Sequence, residues 1–192
     1  MRIGYSVEDS THRAFLKGLS QRWCPHAELF EGRFRGSTNL SLRREFPKIC
    51  DEFVARSVDA MVFLRDANDE DWRQAQVNER SAFPAQYLSR AVHGVADRNV
   101  ECWICADPDW TGRRLGLAPE QFRVQNPKGA FERASGIQRA DRKEAEIAEL
   151  VREAPLHKWL GRPSFEDFYE QLRARSQQLG CTIENLRDRA AH

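Results

Sequence analysis

The chain has no apolar run approaching the roughly 18 residues that a membrane span requires, and its mean hydropathy of -0.69 agrees. Its opening residues, MRIGYSVEDS, carry no apolar core behind their single arginine, so no export signal is expected there. Five cysteines, Cys24, Cys50, Cys102, Cys105 and Cys181, are an odd number with no framework spacing, which predicts reduced thiols in the cytoplasm. Excess charge of either sign is lacking too. Thirty basic residues against 29 acidic ones leave a formal charge of +1, so no whole-protein field draws in nucleic acid or an anionic membrane. Any such binding must come from segregated patches. Internal repeats and low-complexity tracts are also missing. What remains is 192 residues, 41% hydrophobic and 31% charged, the composition and length of one compact domain with an appendage.

Ile3, Tyr5 and Val7 alternate as in a short strand, and Ser10 or Thr11 offers an N-cap to a helix immediately after it. Phe15, Leu16, Leu19 and Trp23 recur at helical spacing before Pro25, predicting that helix over 11–23. A second strand is expected at His26 to Phe34. From Leu42 to Arg56, Phe46, Ile49, Cys50 and Phe53 share one helical face, with Pro47 either kinking the helix or dividing it. The run Ala60 to Leu64 reads as a central strand buried on both faces, ended by the charged stretch from Arg65. Residues 99–106 fit strand or helix; a strand near Ala91 to Ala96 with a helix from about Asn99 is the favoured reading. Beyond Pro108 the helix candidates are Phe131 to Ser135, Arg142 to Arg152, Phe165 to Gln178 and Ile183 to Arg189. Alternating elements of this kind predict βαβ units around a mostly parallel, Rossmann-like four-stranded α/β sheet. The core is expected over 1–135, with a helical extension over 136–192 packed on it or docking a partner.

In such sheets functional groups collect beyond the carboxyl ends of the strands. Glu8, Asp66 and Glu101 are all expected there. Carboxylates after the first and central strands suit a hard cation such as Mg²⁺ or Mn²⁺, which bridges phosphate oxygens and activates water. The plainer reading of Asp66 to Asp71 is a helix cap, where acids favour the N-terminal dipole. An EF-hand is excluded, because the sixth position from Asp66 is Asp71 rather than glycine and the twelfth is Val77 rather than glutamate. A phospho-acceptor receiver domain fits Glu8, Asp9 and Asp66, but the Ser or Thr ending its fourth strand is not evident, nor the Lys ending its fifth unless Lys128 in Asn126-Pro127-Lys128 serves.

Four motifs in order carry a resemblance: Val7-Glu8-Asp9-Ser10-Thr11 before a helix, Val62 to Asp69, Glu101 to Asp107, and Asn126-Pro127-Lys128. Over roughly residues 1–135 the chain resembles the TOPRIM-like domain of the OLD family and its small stand-alone bacterial relatives. The resemblance implies a TOPRIM α/β fold, divalent-metal-dependent cleavage of nucleic acid, and association with an ATPase partner in phage defence. It assigns Glu8 as metal ligand or proton acceptor, Asp66 as the first acid of an Asp-x-Asp turn, Glu101 as an acid for a second metal and Lys128 as a positively charged residue near the scissile phosphate. The family's glycine after the glutamate is Asp9 here, and its acid four positions on is His12. The second acid of the turn falls on Asn68, so either its amide oxygen coordinates or Asp69 substitutes. These departures keep open a catalytically silent subunit that gates an ATPase.

Thr111 to Lys143 holds eight basic residues against three acids, a local charge of +5. Arg113, Arg114, Lys128 and Arg133 are the candidates for a phosphate backbone; Arg123, Arg139, Arg142 and Lys143 complete the run. The alternative is a solvated surface with ion pairs. Cys102 and Cys105 lack two further zinc ligands and read as buried thiols. His12 reads as a solvated helix residue, and His26, His93, His157 and His192 show no pairing pattern. Trp103, Trp110 and Trp159 read as core.

Overall fold

The structure is a computed structural model that describes residues 1–32, 39–134 and 140–190. Four strands, β1 (Arg2–Val7), β2 (Glu28–Glu31), β3 (Ala60–Asp66) and β4 (Ala91–Ala96), form one sheet in the order β2-β1-β3-β4. Every pairing is parallel. Parallel neighbours need crossover connections, and helices α1 (Ser10–Trp23), α2 (Asn39–Ala55) and α3 (Trp72–Ala82) supply them. Chain order reverses between β1 and β3, so their carboxyl ends flank the switch point of the sheet.

Alternation along β3 divides the core into two layers. Val62 and Leu64 join a large cluster with Phe15, Trp103, Trp159 and Phe168. Met61 and Phe63 point the other way, into a cluster with Phe46, Ile49, Phe53 and Phe83. Two strand glycines allow helices close to the sheet. A Cβ at Gly4 would lie 2.7 Å from the Phe53 ring, and one at Gly94 would lie 2.6 Å from Phe168.

The expected strands and crossovers are present, with shifted ends. Asp9 rather than Ser10 or Thr11 caps α1, its carboxylate accepting the Thr11 and His12 N–H groups. Of the second strand expected over 26–34, Glu28–Glu31 is extended, while 33 and 34 lie outside the described residues. Pro47 sits inside one continuous helix rather than dividing it. β3 runs two residues past the apolar stretch because Arg65 and Asp66 find partners inside the fold. Within 99–106 the chain is helical at Val100–Ile104, α4, so the favoured helical reading holds, with Asn99 at the N-cap position but making no side-chain cap bond.

Among the described residues five more α-helices come after it: α5 (Pro108–Leu115), α6 (Lys128–Ala134), α7 (Ala140–Glu153), α8 (Pro163–Gln178) and α9 (Leu186–Ala190). Residue 135, at the end of one expected helix, is outside the described residues. α7 packs on α1, α8 packs on β4, and Phe165, Phe168 and Leu172 join the large core cluster. The apolar face of α8 is therefore spent on the sheet. Among the described residues no helix is long and apolar enough to cross a membrane.

Candidate metal centre at the carboxyl edge of the sheet

β1 ends at Val7 and hands Glu8 and Asp9 to the turn before α1, while β3 ends on Asp66 itself. The two strands pair from Ile3 with Ala60 through Val7 with Leu64, so the residues just beyond meet at the switch point. There the Asp66 backbone N–H donates to Glu8 Oε2 at 3.0 Å.

His12, one turn into α1, is fully buried between two carboxylates. Its Nδ1 lies 2.8 Å from Asp9 Oδ1 and its Nε2 2.8 Å from Asp66 Oδ1. Burial opposes a charged ring, but hydrogen bonds from both ring nitrogens and the charges of Asp66 and Asp9 prevail, raising its pKa to about 10. At neutral pH it is an imidazolium donating to both acids. Burial likewise opposes the Asp9 carboxylate, yet the His12 ring and the N–H groups of His12 and Thr11 hold its carboxyl well below the usual range. Asp66 Oδ1 also accepts the Val100 N–H at 2.9 Å, tying β3 to the start of α4.

One ligand atom each from Glu8, His12 and Asp66 can be placed within 4.8 Å of one another, so this group could hold a metal ion. Glu101, in the first turn of α4, is 1% exposed, and its Oε2 is buried without a hydrogen-bond partner. Such an atom is costly unless something satisfies it. Burial raises the Glu101 pKa, partly opposed by Lys128, whose Nζ stands 3.9 Å from Oε1. Burial would lower the Lys128 pKa, but Glu101, Asp66 and Asp9 together raise it. Asp66, Glu101 and Lys128 therefore share one electrostatic neighbourhood.

Asn68 and Asp69 stand elsewhere. Asn68 is left-handed, with φ 54°, and its N–H donates to the Arg98 carbonyl at 2.7 Å. That turn carries both residues to a separate polar cleft of about 370 Å³, which they line with Asp97, Arg98, Gln125 and Arg162. Asp71 caps α3, accepting the Arg73 and Gln74 N–H groups, so the helix-cap reading holds for the end of the acidic stretch. In the basic run, Arg114 pairs with Glu153 at 3.0 Å and Arg123 with Asp109 at 2.8 Å. Arg113 and Arg133 are exposed, Arg139 lies outside the described residues, and so does the side chain of Arg142. Burial pushes the Cys102 and Cys105 thiols up, as expected of inert sulfur.

Behind the centre, Arg65 is 2% exposed and anchors the end of β3. Its Nε donates to Glu79 Oε2 at 3.1 Å and its Nη1 to the Asp66 carbonyl at 2.9 Å. Glu79 Oε1 lies 3.4 Å from His93 Nδ1, and the His93 ring stacks on Phe63.

Sequence reasoning misses three residues in and behind this edge: His12 as part of the centre, Glu79 as the partner of Arg65, and His93 as the partner of Glu79. For His12 a signal exists. Glu8 and His12 are four apart and Asp9 and His12 three apart, which places them on one face at a helix start. Glu79 and His93 meet only across α3 and β4, and no local spacing announces that. Comparison with protein-family models, curated proteins and solved structures finds no match for the chain.

Proposed function

We propose that the chain is a metal-dependent phosphodiesterase acting on nucleic acid, with Glu8 and Asp66 holding Mn²⁺ or Mg²⁺ and His12 joining them once it gives up a ring proton and one of its two carboxylate bonds. The observation that carries this reading is the gathering of two carboxylates and an imidazole at the switch point, beside the orphaned Glu101 Oε2. The set is hard enough for either ion, and its imidazole nitrogen favours Mn²⁺. When bound, such an ion polarises a phosphate oxygen and lowers the pKa of a coordinated water. Glu8 and Asp66 supply the anionic oxygens, and Asp66 keeps Oδ2 for the cation because both described bonds to its side chain fall on Oδ1. Glu101 would hold a second ion. Lys128 stands 3.9 Å from Glu101 and would neutralise charge on the phosphate. Arg113 and Arg133 are the exposed basic side chains for the strand backbone. The ordered resemblance to the TOPRIM-like domain of the OLD family supports the same chemistry, and with it an ATPase partner.

A second reading is favoured by one specific contact. The His12 imidazolium, 2.8 Å from Asp66 Oδ1, already neutralises the carboxylate a metal would use. On that reading the centre is held closed by a proton, and the chain is a catalytically silent subunit of an ATPase complex.

Incubating the protein with plasmid, single-stranded DNA and tRNA, with Mn²⁺ or Mg²⁺, beside Glu8→Ala and Asp66→Ala, separates the two. Mn²⁺ binding is measured in parallel by electron paramagnetic resonance. Cutting and binding that both variants abolish support the enzyme. Absence of Mn²⁺ binding together with absence of cutting, alone and with any ATPase found encoded beside it, supports the silent subunit.

A further inference from the structure

At the opposite end of α1 from His12, three sulfur-bearing residues line one crevice. Cys24 is the C-cap of α1, its N–H donating to the Ser20 carbonyl at 2.8 Å. Cys181 comes after α8 through a left-handed turn at Gly180, φ 74°, and its N–H donates to the Ser176 carbonyl at 2.9 Å. Both sulfurs are thus set by helix ends rather than by mobile side chains alone. Cys181 Sγ lies 3.7 Å from Met1 Sδ. Burial and then the Cys181 thiol keep the Cys24 proton in place. All three residues line one crevice of about 340 Å³, Cys24 on its buried side and Cys181 partly open to solvent.

From this grouping we infer that Cys24, Cys181 and Met1 form a site for a soft monovalent cation, Cu(I). The chemistry of the donors selects the ion. Two thiolates and a thioether suit Cu(I), whereas zinc sites are built from thiolate, imidazole and carboxylate. The spacing of Cys181 and Met1 fits such a site. Metal–sulfur bonds of about 2.3 Å place the sulfurs of a tetrahedral or trigonal site roughly 3.8–4.0 Å apart, close to the 3.7 Å found between Cys181 and Met1. On binding, the two S–H protons pass to solvent, two Cu–S(thiolate) bonds and one Cu–S(thioether) bond form, and no electrons are exchanged. The bound ion joins the end of α1 to the segment after α8. The site is separate from the carboxylate centre and does not depend on it.

The test is anaerobic titration of the reduced protein with Cu(I) buffered by a chromophoric chelator. Wild type is expected to withdraw one equivalent, and Cys24→Ser and Cys181→Ser to bind more than about 100-fold more weakly. Cys102→Ser and Cys105→Ser serve as controls and keep the site. Circular dichroism checks that each variant folds, with Cys24→Ala used if Cys24→Ser does not. X-ray absorption of the loaded wild type is expected to show a sulfur-only shell near about 2.3 Å. The site is refuted if wild type withdraws no copper, if folded Cys24 and Cys181 variants bind as wild type does, or if nitrogen replaces sulfur in the shell.

Discussion

Replacing Arg65 by methionine tests whether the end of β3 is held by a buried ion pair. The substitution conserves much of the side-chain volume but removes the charge facing Glu79, which is 1% exposed. It also deletes the bonds to Glu79 Oε2 at 3.1 Å and to the Asp66 carbonyl at 2.9 Å. The neighbouring acid Glu70 is 3.7 Å from the guanidinium and half exposed, so it loses little. Among the described residues Glu79 then keeps His93, at 3.4 Å, and a buried carboxylate without its cation costs about 3–5 kcal/mol. Glu79→Leu should cost a similar amount by stranding Arg65. The double variant Arg65→Met/Glu79→Leu removes both charges together. It should lie within about 2–3 kcal/mol of wild type, well short of the two single costs added, the remaining difference coming from the lost Arg65 bonds to the Asp66 and Ala75 carbonyls and from His93, which loses Glu79. With a urea slope of about 2 kcal/mol/M, each single variant lowers the midpoint by roughly 1.5–2.5 M. Urea unfolding at pH 7, monitored by tryptophan fluorescence and far-ultraviolet circular dichroism together, measures it. Single variants each costing less than about 1 kcal/mol, or costs that simply add in the double variant, would show that the pair is not coupled as the burial implies.

Stability of the metal-free protein should depend on alkaline pH through His12. Its pKa is raised from 6.5 to about 10 in the fold, so its stabilisation is complete below the lower value and is lost as pH rises through the upper one. The urea midpoint therefore falls between pH 7 and 10, and His12→Asn flattens that fall; parallel curves for the two proteins would contradict the assignment. Gly18→Ala should destabilise by about 1–3 kcal/mol, because a Cβ there would stand 2.5 Å from the Ala148 carbonyl oxygen where α1 and α7 touch. A melting temperature equal to wild type would mean the two helices are not so closely packed. Asp9→Ala removes the α1 cap and should cost about 1 kcal/mol, with a further loss from the bared His12 ring. An unchanged midpoint would count against the cap.

Local periods are enough to establish the α/β class, the parallel sheet and the edge on which acids collect. Alternation in Arg2–Val7, a double-sided apolar run in β3 and helical spacing between them are all visible within a few residues. The same signals bring Glu8, Asp66 and Glu101 near strand ends, because strand termini are marked by where apolar residues stop. Which polar residues meet is a different matter. His12 reads in sequence as a solvated helix residue, and it is the pairing of β1 with β3 that sets Asp66 against it. Asn68 reads as a partner of Asp66, and a left-handed turn carries it to another cleft. Arg65 reads as the charged stop after a strand and is the strand's buried continuation in space, since Glu79 and His93 approach from positions 14 and 28 residues away. Burial and pairing over such distances depend on how the chain crosses itself, and no local spacing encodes that.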